Sequence, residues 1–348
     1  MRLTEYISRR RTELMGCAAL LIICLHAGIS TGFAPWVWIV RKNGNIGVDF
    51  FVLVSGFGCV FSLKKNRDIG AYYGRRMKRL LPSHYAALAL CVLAARGIPS
   101  ALILAANIVP IGIWMGLGQN FWYVQASLLY YILVPLFMSM IENARFPRIA
   151  FLGLLGVFSL IVPWITQSSG AILAIMRLPA LVVGVGLGVF HHSRRNKRDD
   201  WILVGLVALI WAAGFVQMRH RMIFSRAPFA FLTRSQANRL HKALRAPMIL
   251  ALMALALEGI ERTPLRFVNA GLRAAGRYSL ELYLGHSIVR YAAMQYLGLR
   301  SWALLAVMLT ASWPVALLIR QGGKWLMALI DRLFIARRDS DRPSGPPA

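Results

Sequence analysis

Acidic residues are what this chain has least of. Its 348 residues include 13 Asp and Glu against 40 Lys and Arg, and charged residues of either sign make up only 15%. A soluble domain carries about a quarter charged residues, so an ordinary soluble fold is excluded. The 58% hydrophobic content and positive mean hydropathy point to an integral membrane protein. Patterned cysteine is also missing. Cys17, Cys24, Cys59 and Cys91 all lie in apolar runs without metal-ligand spacing, so no metal site is expected and the redox compartment stays undetermined. There is no internal repeat, and no hydrophilic stretch is long enough to bury a core of its own. The net charge of +27 would suggest nucleic acid in a soluble protein. Here the basic residues gather between apolar runs, where the positive-inside rule and anionic lipid account for them. The expected partner is the lipid bilayer, and nucleic acid is not expected.

What is present is a series of apolar runs. A membrane span needs about 20 mainly apolar residues, and ten candidates emerge: 14–34, 46–63, 80–96, 121–141, 149–167, 171–190, 201–218, 245–261, 278–297 and 301–320. The first is read as a retained helix, because it lacks an A-x-A-like cleavage site and carries a histidine. The stretch 98–117 is apolar enough to be an eleventh span, but Pro110 and several glycines interrupt it, so a re-entrant element is the alternative. Ten spans with both termini cytoplasmic place most Lys and Arg inside, the loop 219–242 excepted; an eleventh crossing would invert everything downstream. The reading is therefore an all-α multi-pass protein of the cell inner (plasma) membrane, with one embedded domain over 1–335. KWLMALIDRLFIARR, after the last span, reads as an amphipathic interfacial helix, and residues 336–348 as a disordered tail.

Ionisable groups inside hydrocarbon are costly and mark function by default. His26 sits inside the first apolar run and Asp49 near the start of the second, and seven Lys and Arg follow between Lys64 and Arg79. The first two suggest a reaction site, and the basic cluster suggests a phosphate-bearing ligand.

Five blocks of sequence carry a resemblance. They are ELMGCAALLIICLH ending at His26, GVDFFVLVSGF (47–57), YYGRRMKRLLPSHY (72–85), NFWYVQASLLYYILVPLF (120–137) and GRYSLELYLGH (276–286). In order and spacing they resemble the bacterial membrane-bound acyltransferase family, the acyltransferase 3 group, whose members O-acylate cell-envelope sugars and related acceptors. The resemblance spans roughly residues 8 to 335. Many members place Arg or Lys eleven residues before the first-span histidine; here that position is Met15, with Arg9, Arg10 and Arg11 one turn or more earlier. Arg11 is a substitute if it snorkels along the helix.

The resemblance implies an acyl-CoA donor, acetyl-CoA in the usual case, and a carbohydrate or glycolipid acceptor. Such transfer needs a base, stabilisation of the developing oxyanion and a grip on the leaving group. His26 is the expected base; the alternative is a histidine satisfied by an interhelical hydrogen bond. Asp49, on the neighbouring antiparallel span, is expected to reach His26 and orient it as the acid of a triad does, or else to bind acceptor hydroxyls or cap its span. Arg75, Arg76 and Arg79 are expected to hold the coenzyme's phosphates, with Arg75 and Arg79 sharing a helix face. Trp122 is a candidate wall for a sugar ring, or part of an aromatic belt. Glu281 and His286 either line the cavity opposite His26 or brace it, and Ser55 and His84 fall inside matched blocks. Arg177 and Glu258 are isolated intramembrane charges that would satisfy each other as a pair. A transporter or flippase with an ion path is the reading from another class; paired broken helices and repeats would mark it, and neither is seen.

Overall fold

The computed structural model describes residues 3–28, 44–94, 100–117, 121–160, 169–192, 199–223 and 234–340, and is all-helical there, with no strand. In chain order the helices are α1 (Leu3–Arg9), α2 (Arg11–His26), α3 (Ile46–Lys65), α4 (Ile69–Ala94), α5 (Ala101–Ile108), α6 (Trp122–Glu142) and α7 (Pro147–Leu160). There follow α8 (Ser169–Ile175), α9 (Leu178–His192), α10 (Asp199–Ile223), α11 (Arg234–Ile260), α12 (Arg266–Arg277), α13 (Ser279–Leu297) and α14 (Ser301–Ser340). Among the described residues, four stretches are long and apolar enough to cross a membrane: Ile46–Lys65, Trp122–Glu142, Ala171–His192 and Ser301–Leu333.

Helix α3 is apolar on every face and almost wholly buried, as expected of the central helix of a bundle. Its neighbour α9 runs parallel to it at close range: a Cβ on Gly184 would lie 2.2 Å from the Leu53 carbonyl oxygen, and one on Gly188 2.7 Å from Val60 Cβ. Without water to drive association, apolar helices gain most from such small-residue contacts. Helix α2 meets α12 in the same way, since a Cβ on Gly16 would sit 2.0 Å from the Leu272 carbonyl and one on Gly276 1.8 Å from that of Thr12. An ion pair between Lys64 and Glu142 ties the last turns of α3 and α6 together.

Of the stretch 98–117, the described residues 100–117 hold only the eight-residue helix α5, about 12 Å long and far short of a roughly 30 Å hydrocarbon core. The chain then folds back, with Ile111 N and Gly112 N both donating to Ala106 O. Side chains complete the accounting: Gln125 Oε1 accepts from Ile113 N at 2.8 Å, Gln125 Nε2 donates to Asn107 Oδ1 at 3.1 Å, and His84 Nε2 donates to Asn107 O at 2.9 Å. The irregular backbone is thus satisfied by protein, which is the condition for its tolerance at membrane depth. No eleventh spanning helix arises here.

The expected separate interfacial helix after residue 320 is not separate. Helix α14 runs unbroken from Ser301 to Ser340. Its Gly322–Gly323 pair does not break it, because both glycines lie against α4, Gly322 near Ala86 and Gly323 near Pro82. Helix therefore extends into the segment read as a tail, and residues 341–348 lie outside the described residues.

Candidate active site

A cavity of about 100 Å³ opens between α2, α3, α4, α6 and α13. Three guanidinium groups reach it: Arg11 from α2, and Arg76 and Arg79 from α4. Arg11 lies over α3, where a Cβ on Gly58 would come within 2.7 Å of Arg11 Nη1. Met15 lines the same cavity. Residues four apart share a helix face, so the base missing at Met15 stands one turn earlier in the same space. Burial first, then the guanidiniums of Arg79 and Arg76, push the Arg11 pKa down from its ordinary value. Three like charges around one space favour an anion that relieves their repulsion. Arg76 also lies 5.4 Å from the Tyr72 ring centroid and 5.8 Å from that of Tyr131, a cation–π setting that fixes its plane.

Arg75 departs from expectation. It is exposed and donates to Ser62 Oγ at 3.4 Å, away from the cavity. The pair that shares the cavity face is Arg76 and Arg79, three apart, which helical geometry permits as readily as four. Arg9 and Arg10 are also spoken for. Arg9 donates to Glu258 at 2.7 Å, and Arg10 donates to Glu258 at 2.9 Å, Glu261 at 3.0 Å and Glu13 at 3.3 Å. Arg273 closes the network on Glu13 at 2.8 Å. Glu258 is therefore satisfied by the start of α2 and not by Arg177, so the expected Arg177–Glu258 pair does not form.

Beyond the arginines the cavity wall is aromatic. Tyr123 and Tyr283 both line it, with ring centroids 5.4 Å apart, and Phe51 packs on both at 5.6 and 6.4 Å. Tyr283 continues to the His286 ring at 5.6 Å, and His286 to the His26 ring at 5.0 Å. His286 is buried, and its Nε2 lies 3.3 Å from His26 Nδ1. His26 Nδ1 also faces the Ile22 carbonyl oxygen at 2.9 Å. Ser55 lines the cavity directly, as its place in the second block suggests.

Asp49 is elsewhere. Its carboxylate lies 3.5 Å from Arg177 Nε, and Arg177 in turn donates to Leu173 O at 2.6 Å and lies 4.8 Å from the Trp122 ring centroid. Arg245 adds a second cation near Asp49 and donates to Asn45 Oδ1 at 2.6 Å. The expected His26–Asp49 contact is absent because of helix register. α2 and α3 are antiparallel, and Gly47 packs on Ala18, where a Cβ would meet the Ala18 carbonyl at 2.5 Å. Ala18 lies eight residues short of His26, about 12 Å of helical rise. Glu281 also turns away from the histidines, accepting from Ser83 Oγ at 3.2 Å; it braces α13 on α4. Trp122 stands beside Arg177, outside the cavity lining.

A family model for an acyltransferase domain, that of the acyltransferase 3 group, matches residues 14–321. The chain belongs to the acyltransferase 3 family. No curated protein and no solved structure matches it. Membership makes this a membrane acyltransferase, and it covers every helix from α2 to the first half of α14. The residues that sequence reasoning passed over in this acyltransferase are Tyr131 and Tyr283. Both lie inside the matched blocks, but tyrosine in an apolar run carries no signal separating a cavity wall from packing.

Proposed function

We propose that this acyltransferase moves an acyl group, acetyl in the simplest case, from cytoplasmic acyl-CoA to a hydroxyl of an envelope polysaccharide or lipid-linked sugar. In this reading the chain crosses the inner (plasma) membrane ten times with both termini cytoplasmic. The observation that carries it is the grouping of Arg11, Arg76 and Arg79 around one cavity whose far wall, Tyr283, touches the partner of His26. A diphosphate and a ribose phosphate fit planar guanidinium forks, and the coenzyme's arm would extend from them toward the aromatic wall.

His26 Nε2 takes the proton from the acceptor hydroxyl as its oxygen attacks the thioester carbonyl carbon. The carbon–sulfur bond breaks, and the departing thiolate receives that proton, leaving free coenzyme A and the ester. Ser55 and Tyr123 are among the cavity-wall hydroxyls available to a developing oxyanion. The acceptor sugar is assigned to the face of Trp122 that Arg177 leaves open.

The test is mass spectrometry of envelope glycans from cells carrying the wild-type protein or His26→Ala at equal abundance. The reading expects an ester-linked acyl group that disappears in the variant. Identical glycans in the two strains would overturn it.

A further inference from the structure

The position that a triad would give to a carboxylate is filled here by a second imidazole. The hydrogen bonds around His26 determine which nitrogen carries a proton. Ile22 O can only accept, so His26 Nδ1, 2.9 Å away, is the N–H. His286 Nε2, 3.3 Å from that same Nδ1, therefore meets a donor and must present its lone pair. Ser287 Oγ, 3.4 Å from His286 Nε2, can add a hydroxyl donor to the same nitrogen. The roles are mutually consistent, with the His26 Nδ1–H shared between Ile22 O and His286 Nε2 and with His286 Nδ1–H buried without a hydrogen-bond partner among the described residues. The free end is the lone pair on His26 Nε2, the atom a general base needs.

No carboxylate among the described residues bonds either ring. The two acids that sequence reasoning placed nearest are engaged elsewhere, Asp49 with Arg177 and Glu281 with Ser83. Helix packing brings the rings together: α12 crosses α2 antiparallel, Gly16 on Leu272 and Gly276 on Thr12, and α13 then turns back along α2 to bring His286 beside His26.

We propose that His286 is the positioning residue of His26: it accepts from His26 Nδ1–H, holds Nε2 free as the base, and steadies the imidazolium that forms when Nε2 takes the acceptor's proton. This rests on the acyl-transfer reading above. A neutral acceptor stabilises that cation less than a carboxylate would, but it also carries no charge to desolvate among apolar helices. In the transfer step the proton arrives at Nε2 and leaves from Nε2 to the thiolate, while the Nδ1 proton stays in place throughout.

The test has two arms. First, the protein is labelled with ¹⁵N-histidine, reconstituted in phospholipid bilayers and observed by solid-state NMR, with His26→Ala identifying the His26 signals. The proposal expects the Nδ1–H tautomer at His26 and the Nδ1–H tautomer, with bare Nε2, at His286; an Nε2–H tautomer at His26 overturns it whatever the reaction is. Second, labelled acetyl transfer from acetyl-CoA into membranes carrying the protein is compared for His286→Ala and His286→Gln. His286→Ala should lower kcat about tenfold to a hundredfold with KM for acetyl-CoA unchanged, and the glutamine amide oxygen should restore a large part. Wild-type kcat in His286→Ala, with activity still lost in His26→Ala, overturns this inference alone. Wild-type activity in His26→Ala overturns the reading beneath it. If His286→Ala fails to accumulate, the tautomer measurement on the wild-type protein and the glutamine variant still decide.

Discussion

Helix α2 begins among ion-paired charges and ends at a pair of imidazoles, with the Arg290 cation acting on both rings. Just before its first residue, Arg9 at the end of α1 and Arg10 join Glu13, Glu258, Glu261 and Arg273 in a network of ion pairs, while Arg11 faces the cavity. At its last residue His26 meets one neutral histidine and one backbone carbonyl. The two ends solve different problems. Arg9, Arg10 and Arg273 are paired with carboxylates, whereas Arg11, Arg76 and Arg79 face the cavity, so positive charge gathers where the proposed phosphates would bind. The histidine end needs a lone pair near neutral pH, and a hydrogen-bonded neutral pair supplies one without stranding a charge among apolar helices.

The sharpest way to break this comparison is to remove the base. His26→Ala is expected to lower acetyl transfer by about 10² to 10⁴-fold while the thermal unfolding profile and yield stay close to wild type, read by labelled transfer and by circular dichroism. Retained turnover would leave α2 with one functional end only.

The arginine end is tested through donor affinity. Arg76→Gln, Arg79→Gln and Arg11→Gln should each raise KM for acetyl-CoA about tenfold, the scale of one lost charge-assisted hydrogen bond, with kcat less affected. Arg75→Gln, whose side chain is directed to Ser62, should change KM less than twofold in the same order-of-magnitude terms. Equal effects at Arg75 and Arg76 would mean that the cluster acts as a diffuse field and not through the cavity.

Smaller effects separate function from support. Asp49→Asn should leave the acetyl-CoA KM unchanged and lower stability by about 3 kcal/mol, as expected when one partner of a buried pair is removed; the midpoint of thermal unfolding in detergent reports it. A steep fall in kcat with unchanged stability would instead return Asp49 to the base. Last, Gly16→Ala should destabilise the α2–α12 crossing by about 1 to 3 kcal/mol, because its methyl would enter the Leu272 carbonyl. Gly74→Ala, where the added carbon meets nothing within 4 Å, is its neutral control.

Particular residues show why some of this was legible in the chain and some was not. Apolar runs set by the cost of burying backbone in hydrocarbon gave the helices α3, α6 and α13 nearly to the residue, and the spacing of the five blocks carried the family and contains three residues of the cavity lining, Arg76, Arg79 and Ser55. The Met15 departure likewise pointed one turn back to Arg11, because helical periodicity is local. What periodicity within one helix cannot hold is the register between two. Sliding α3 along α2 by two turns leaves both sequences unchanged, yet it decides whether Asp49 meets His26 or Arg177. The contact of Gly47 with Ala18 fixes that slide, and the contact of Gly276 with Thr12 brings His286, 260 residues away in sequence, to the ring it holds. Composition and local spacing thus determined which helices form and where ionisable side chains lie along them; close packing at small residues, a property of pairs of surfaces, decided which of those side chains meet.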